Sequence, residues 1–116
     1  MFCFDAQLKV YLHREPIDLR LSINGLALLV RHTLGLDPFA ACLYVFANRR
    51  RNRVKILLWD RNGFWLLLKR LEEDRFCWPS TQAVPMLTVE QLHWLLEGMD
   101  IAAMQRHPQR LYEHVG

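Results

Sequence analysis

The chain has 116 residues, 52% of them hydrophobic and 23% charged, with a formal net charge of +3. That size and balance fit one folded domain and exclude a disordered chain, which lacks the apolar surface to offset the entropy of ordering. No apolar run approaches the roughly 18–20 residues that cross a bilayer, and Asp5 stands where a signal peptide carries positive charge, so the expected location is the cytosol with no membrane contact.

In chain order, Leu8 to Leu12 alternates as a first strand does, and Pro16 ends it. Asp18 or Ser22 can cap a helix whose apolar positions Leu19, Ile23, Leu26, Val30 and Leu34 lie on one stripe. Gly35 suits the left-handed residue after that helix, and Asp37-Pro38 stops any continuation. The centre reads as a three-strand meander over Leu43–Ala47, Arg53–Trp59 and Phe64–Leu71.

The turn Asp60-Arg61-Asn62-Gly63 fits a type I turn closed by a glycine bulge, with Asp60 opposite Phe64. In that register Leu58 meets Leu66 and Ile56 meets Leu68 on one aliphatic face. The other face carries Trp59 with Trp65, Leu57 with Leu67 and Lys55 with Lys69.

Near the C-terminus, Thr88 and Gln91 form a capping box and Leu87 can staple to Leu92. Val89, Leu92, Leu95, Leu96 and Met99 make the buried stripe, and Gly98 terminates the helix. The expected fold is therefore α+β: an antiparallel sheet of about four strands in β-α-β-β-β-α order, with two helices packed mainly on one face. Residues 1–100 form the domain and 101–116, interrupted by Pro108, a loosely attached tail.

The chemical signal is concentrated in one place. Twelve of the fifteen basic residues are arginine, and Arg49, Arg50, Arg51, Arg53 and Lys55 fall within seven positions of a stretch, Pro38 to Trp59, that contains no acid. Such a knot of guanidinium groups can neutralise phosphates and release counterions, with nothing in its pattern to read bases. Read blandly, it is a solvated turn that keeps the sheet from aggregating. Trp59 and Trp65 read either as a stacking platform beside Lys55 and Lys69, or as core or a partner-covered patch with Leu57 and Leu67.

Elsewhere the residues argue against catalysis and cofactors. Cys3, Cys42 and Cys77 are odd in number and widely spaced, fitting buried free thiols rather than disulfides or zinc ligands. His13, His32, His93, His107 and His114 lack metal spacing and read as surface or capping histidines. Asp18, Asp60 and Glu72 are scattered, Glu72-Glu73-Asp74 reads as a solvated face, and no nucleophile elbow or glycine-rich phosphate loop occurs.

One ordered string goes further. Leu36-Asp37-Pro38-Phe39, Leu43-Tyr44-Val45-Phe46, Asn48-Arg49-Arg50-Arg51, Val54-Lys55-Ile56-Leu57, Trp59-Asp60, Asn62-Gly63-Phe64, Lys69-Arg70-Leu71-Glu72 and Arg75-Phe76-Cys77-Trp78-Pro79 succeed one another. Asp18-Leu19-Arg20 with Gly25-Leu26-Ala27, and Gln91-Leu92 with Leu95-Leu96-Glu97-Gly98, flank them. Over residues 8–100 this resembles the TnpB accessory proteins of the insertion sequence 66 family of bacterial transposable elements, departing at Leu21-Ser22, where the family has Lys-Gly.

The resemblance implies a protein required for transposition alongside a separate transposase that cuts and joins DNA. It carries no catalytic residues across. The expected partners are that transposase and DNA without sequence preference, with self-association a further option. Arg49, Arg50, Arg51, Arg53, Lys55 and Lys69 are the expected phosphate contacts, and Leu57, Trp59, Trp65 and Leu67 the expected stacking or partner surface.

Overall fold

A computed structural model describes residues 4–79, 86–101 and 103. The elements are β1 (Lys9–Leu12), α1 (Ile23–His32), β2 (Cys42–Ala47), β3 (Arg53–Asp60), β4 (Gly63–Arg70), β5 (Met86–Leu87) and α2 (Val89–Leu96). The class is α+β as expected, with helices on a sheet.

Three features of the architecture differ from expectation. The sheet has five strands in the order β4-β3-β2-β1-β5. It is mixed, because β1 runs parallel to β2 while the other pairs are antiparallel. A parallel neighbour needs a long crossover, and α1 supplies it. The two helices also lie on opposite faces. Leu92 and Leu95 of α2 join Val10, Leu12, Leu43, Val45, Val54 and Ile56 in one apolar cluster, while Leu26 and Val30 of α1 join Tyr44, Phe46 and Leu57 in the other.

The reason is visible in β2. All six of its residues, Cys42 to Ala47, are buried, so both sides of this central strand need cover. A strand of that kind reads as a continuous apolar run rather than an alternating one. Each fully buried Leu, Val or Phe contributes about 1.5–3 kcal/mol of transfer free energy, and a helix on one side alone would forgo half of that.

The β3–β4 hairpin departs from the expected register by one residue. Asp60 pairs with Gly63, not Phe64, and the turn closes by Asn62 N–H donating to Asp60 O with Arg61 at φ 54°. This is a tight γ-type closure around Arg61 in place of a three-residue loop with a bulge. Because side chains alternate, a one-residue slip exchanges faces along a whole strand. Leu58 therefore faces Trp65, Ile56 faces Leu67, Leu57 faces Leu66, Lys55 faces Leu68 and Trp59 faces Phe64.

The helix ends follow local chemistry. Thr88 Oγ1 accepts from Gln91 N and Gln91 Oε1 accepts from Thr88 N, the expected capping box. At the other end Gly98 sits at φ 87°, its N–H bonds Leu95 O, and Met99 N–H bonds Trp94 O, which is a Schellman closure. Met99 itself is exposed rather than part of the buried stripe. Ser22 is the N-cap residue of α1 but makes no side-chain cap bond, so Leu19 lies ahead of the helix, and Gly35 takes the left-handed conformation beyond it.

Three assignments of buried and exposed residues change. His13 is buried, with Nδ1 2.7 Å from Glu15 O, and is neither a surface nor a capping residue. Cys42 is buried but Cys77 is exposed, because Phe76, its neighbour in an extended segment, takes the core position. Ile101, the first residue of the expected tail, is buried in the α2-side cluster. Residue 102, residues 104–116 and Cys3 lie outside the described residues.

Candidate nucleic-acid interface

The basic loop is built on Asn48. Its Oδ1 accepts from Asn52 N (3.1 Å) and Arg53 N (3.0 Å), its Nδ2 donates to Asn52 Oδ1 (2.7 Å), and its backbone N–H donates to Arg53 O. Asparagine does this because its short amide mimics a backbone turn. Arg51 then takes φ 59° to bring the chain back, with its N–H bonding Asn48 O. From the other side, Leu71 N–H donates to Asn52 O and Phe76 N–H to Arg51 O, so the loop backbone is tied at several points.

A loop held this way presents its side chains in fixed directions. Arg49, Arg50 and Arg53 are exposed, and among the described residues none forms an ion pair. Arg53 lies opposite Arg70, a like-charge pair that disfavours the ladder unless one charge is offset. Arg70 is offset locally by Glu72, with Nη2 2.8 Å and Nε 3.1 Å from Oε1. That leaves Arg53 free.

Beside these arginines is a hollow of about 340 Å³, lined by Ile17, Asp18, Leu19, Asn48, Arg49, Arg50, Asn52 and Arg53. Its one acid, Asp18, is forked by Arg20 through Nε to Oδ1 and Oδ2, at 3.1 and 2.9 Å, and through Nη2 to Oδ2. The Arg20 side-chain hydrogen bonds, helped by its backbone N–H, pull the Asp18 carboxyl down to about 2. Asp18 is thus a paired anion, and the rim of the hollow is net basic.

The remaining expected contacts are placed elsewhere. Arg51 is half-buried, with Nη2 3.1 Å from Arg14 O, its guanidinium carbon 5.1 Å from the centre of the Trp78 ring, and Nη1 buried without a hydrogen-bond partner. Burial lowers its pKa from the usual arginine value, against a smaller upward pull from Glu15. Lys55 points under α1, where Nζ donates to Leu19 O (2.6 Å) and Leu21 O (2.9 Å). Lys69 leaves through the opposite face and donates to Leu96 O at the C-terminal end of α2 (2.6 Å), where helix carbonyls favour a cation. The structure therefore does not set Lys55 and Lys69 side by side.

The four apolar residues divide in the same way. Leu57 is fully buried beneath α1, and Trp59 on that face meets Phe39 and Phe64 edge-on, with centroids 5.0 and 4.9 Å away. Trp65 and Leu67 lie on the α2 face. Trp65 is 57% exposed and its Nε1 donates to Asp60 Oδ2 (3.1 Å). They form no common platform.

Sequence reasoning missed Asn48, Asn52, Arg20 and Trp78. An asparagine at a strand end before a short polar loop was the available signal for Asn48. Nothing in the sequence linked Trp78 to Arg51, 27 positions away. Among the described residues no His, Cys, Asp and Glu side chains cluster as metal ligands, and no helix is long and apolar enough to cross a membrane.

Comparison with known proteins adds a family. A family model described as IS66 Orf2 like protein matches residues 8–106. Two curated relatives come from Sinorhizobium fredii (strain NBRC 101917 / NGR234). "Uncharacterized protein y4hO" is 34% identical over 105 residues, covering 90% of this chain and 88% of the relative. "Uncharacterized protein y4jC" is 30% identical over 102 residues, covering 87% of each. No solved structure matches the chain.

Proposed function

The chain belongs to the IS66 Orf2-like family, whose role is that of a transposition accessory protein, and from that premise we propose that it is a non-catalytic DNA-binding module of its insertion element. In this reading Arg49, Arg50 and Arg53 grip phosphates, and the bound protein helps to assemble the element's transposase. The observation that supports it is the set of three exposed guanidinium groups, without an ion-pair partner among the described residues, on a loop whose backbone is held by Asn48.

Arginine suits this task because its planar fork meets phosphate oxygens in pairs. A loop already ordered in the free protein loses little entropy when it binds. Nothing in the loop's own pattern reads bases, so contact is expected along the backbone and without sequence preference. Arg51, Lys55 and Lys69 support the scaffold in this reading rather than touching DNA.

The test is retention of short duplex DNA by the full chain as salt is varied, with Arg49, Arg50 and Arg53 changed together to Glu. Binding that survives the triple change at low salt overturns the phosphate reading. It leaves the family role standing.

A further inference from the structure

The sheet has two edges of very different kinds. At one end β5 is only two residues, Met86–Leu87. At the other, β4 runs for eight, Gly63–Arg70, and pairs with β3 without a bulge. Exposed edges are ordinarily blunted by proline, bulges, inward charges or shortness. Here Phe64 to Leu68 are uninterrupted apolar residues, and only Lys69 and Arg70 carry charge.

The hydrogen-bond alternation shows which backbone groups this edge offers. Leu71 N–H donates to Asn52 O beside the Arg53–Arg70 pair, which makes that pair a non-hydrogen-bonded one. In an antiparallel ladder the N–H and C=O of Gly63, Trp65, Leu67 and Lys69 then point to β3, and those of Phe64, Leu66 and Leu68 point outward. Trp65 is 57% and Leu68 61% exposed, on opposite faces of the same strand. Among the described residues no strand pairs with this side of β4, and donors and acceptors of that kind, flanked above and below by apolar side chains, form a surface for strand addition.

We propose that β4 pairs antiparallel with β4 of a second copy of this chain, around a two-fold axis through Leu66, giving one continuous ten-stranded sheet. The parity of the outward groups restricts the register. Leu66 faces its own counterpart and Phe64 faces Leu68 as hydrogen-bonded pairs, while Trp65 faces Leu67 between them. Each apolar residue meets an apolar residue on its own face, so Trp65 and Leu68 are both covered.

Charge complementarity favours a second copy over an unrelated strand. In this register Lys69 of one copy lies opposite Gly63 of the other, and Asp60 is the next residue in that row on β3. Gly63 has no side chain to intervene, so the lysine stem can cross it, its Nζ exchanging Leu96 O for the carboxylate that in the single chain accepts only from Trp65 Nε1 among the described residues, once at each end of the interface. No like charges are opposed. This surface is separate from the arginine loop, and its failure leaves the phosphate reading untouched.

The experiment is sedimentation of the full chain across a concentration series, combined with backbone amide exchange at both ends of the series. The expected result is a dimer whose Phe64, Leu66 and Leu68 amides gain protection as it forms. Leu68→Lys, at an exposed position that leaves folding intact, should weaken dimerisation by about tenfold, because the two-fold axis repeats each lost pair. Leu28→Lys, at an equally exposed position on α1, should dimerise as the unaltered chain does. A monomer throughout overturns the proposal, as does a dimer in which those amides stay unprotected or that tolerates Leu68→Lys. Protection that appears only on adding another protein overturns it too.

Discussion

Arg51 and Trp78 face each other across the end of the sheet, the guanidinium carbon 5.1 Å from the ring centre, while Trp78 Nε1 donates to His13 O. This contact separates one arginine from its neighbours. It joins the loop after β2, the segment after β4 and the end of β1, three pieces distant in sequence.

Arg51→Ala is therefore expected to cost about 1–2 kcal/mol of stability, through the cation–π contact and the bond to Arg14 O. Arg49→Ala or Arg50→Ala should cost less than about 0.5 kcal/mol, since both side chains are exposed. Arg51 also sits at φ 59°, where a side chain costs roughly 1 kcal/mol and glycine costs none. Arg51→Gly should consequently be more stable than Arg51→Ala. Urea midpoints measure both differences, and equal losses at all three arginines would show that the contact contributes nothing.

For DNA, the Arg49→Glu, Arg50→Glu and Arg53→Glu triple change should lower affinity without moving the thermal midpoint by more than a degree or two. If each guanidinium neutralises one phosphate, the slope of log affinity against log salt should fall by roughly 2.7. Filter retention at several salt concentrations reads it directly. An unchanged slope would place the phosphate contacts elsewhere on the surface.

Lys55 should behave in the opposite way. Its ammonium closes two carbonyls, Leu19 O and Leu21 O, where the chain enters α1. Lys55→Met keeps the stem but leaves those acceptors unmade, at a cost of about 1–3 kcal/mol, with the DNA salt slope intact. A loss of DNA binding at full stability would return Lys55 to the phosphate surface.

Asp18 supplies a pH signature. Its carboxyl is drawn to about 2 by hydrogen bonds from Arg20, below the unfolded value of 3.8, so the fork's contribution is present above that value. It is lost as pH falls through the window between them. The carboxyl carbon of Asp18 should titrate in NMR with a midpoint near 2 and return to the ordinary range in Arg20→Gln. An ordinary midpoint in the unaltered chain would mean that Arg20 is not held, leaving Asp18 a free anion beside the arginine loop.

Much of this was legible in the residues alone because the relevant forces act within a few positions. The capping box at Thr88 and Gln91, the left-handed Gly35 and Gly98, the position of the hairpin turn and the density of arginine in the 49–53 loop all depend on neighbours no more than about five residues away. The resemblance carried by Leu36 to Pro79 likewise led to the family that the comparisons show. The hairpin register was the costliest local misreading. A turn of two residues and one of three are both compatible with Asp-Arg-Asn-Gly, and the choice decides every facing pair from Asp60 back to Arg53.

Where distant segments meet was not legible. Alternation says that Lys55 and Leu57 share a side of β3, but not that α1 covers that side while α2 covers the other. That division follows from β2 being apolar along both faces and from β1 lying parallel to it, so the connecting helix had to cross over the sheet. Chain chemistry by itself determined four of the five strands, both helices, the capping box of α2 and an arginine-rich loop. Tertiary packing decided which arginines stay in water and which lysine lies on which face, because side-chain direction in a sheet is set by register and cover, both of which depend on residues far apart in the chain.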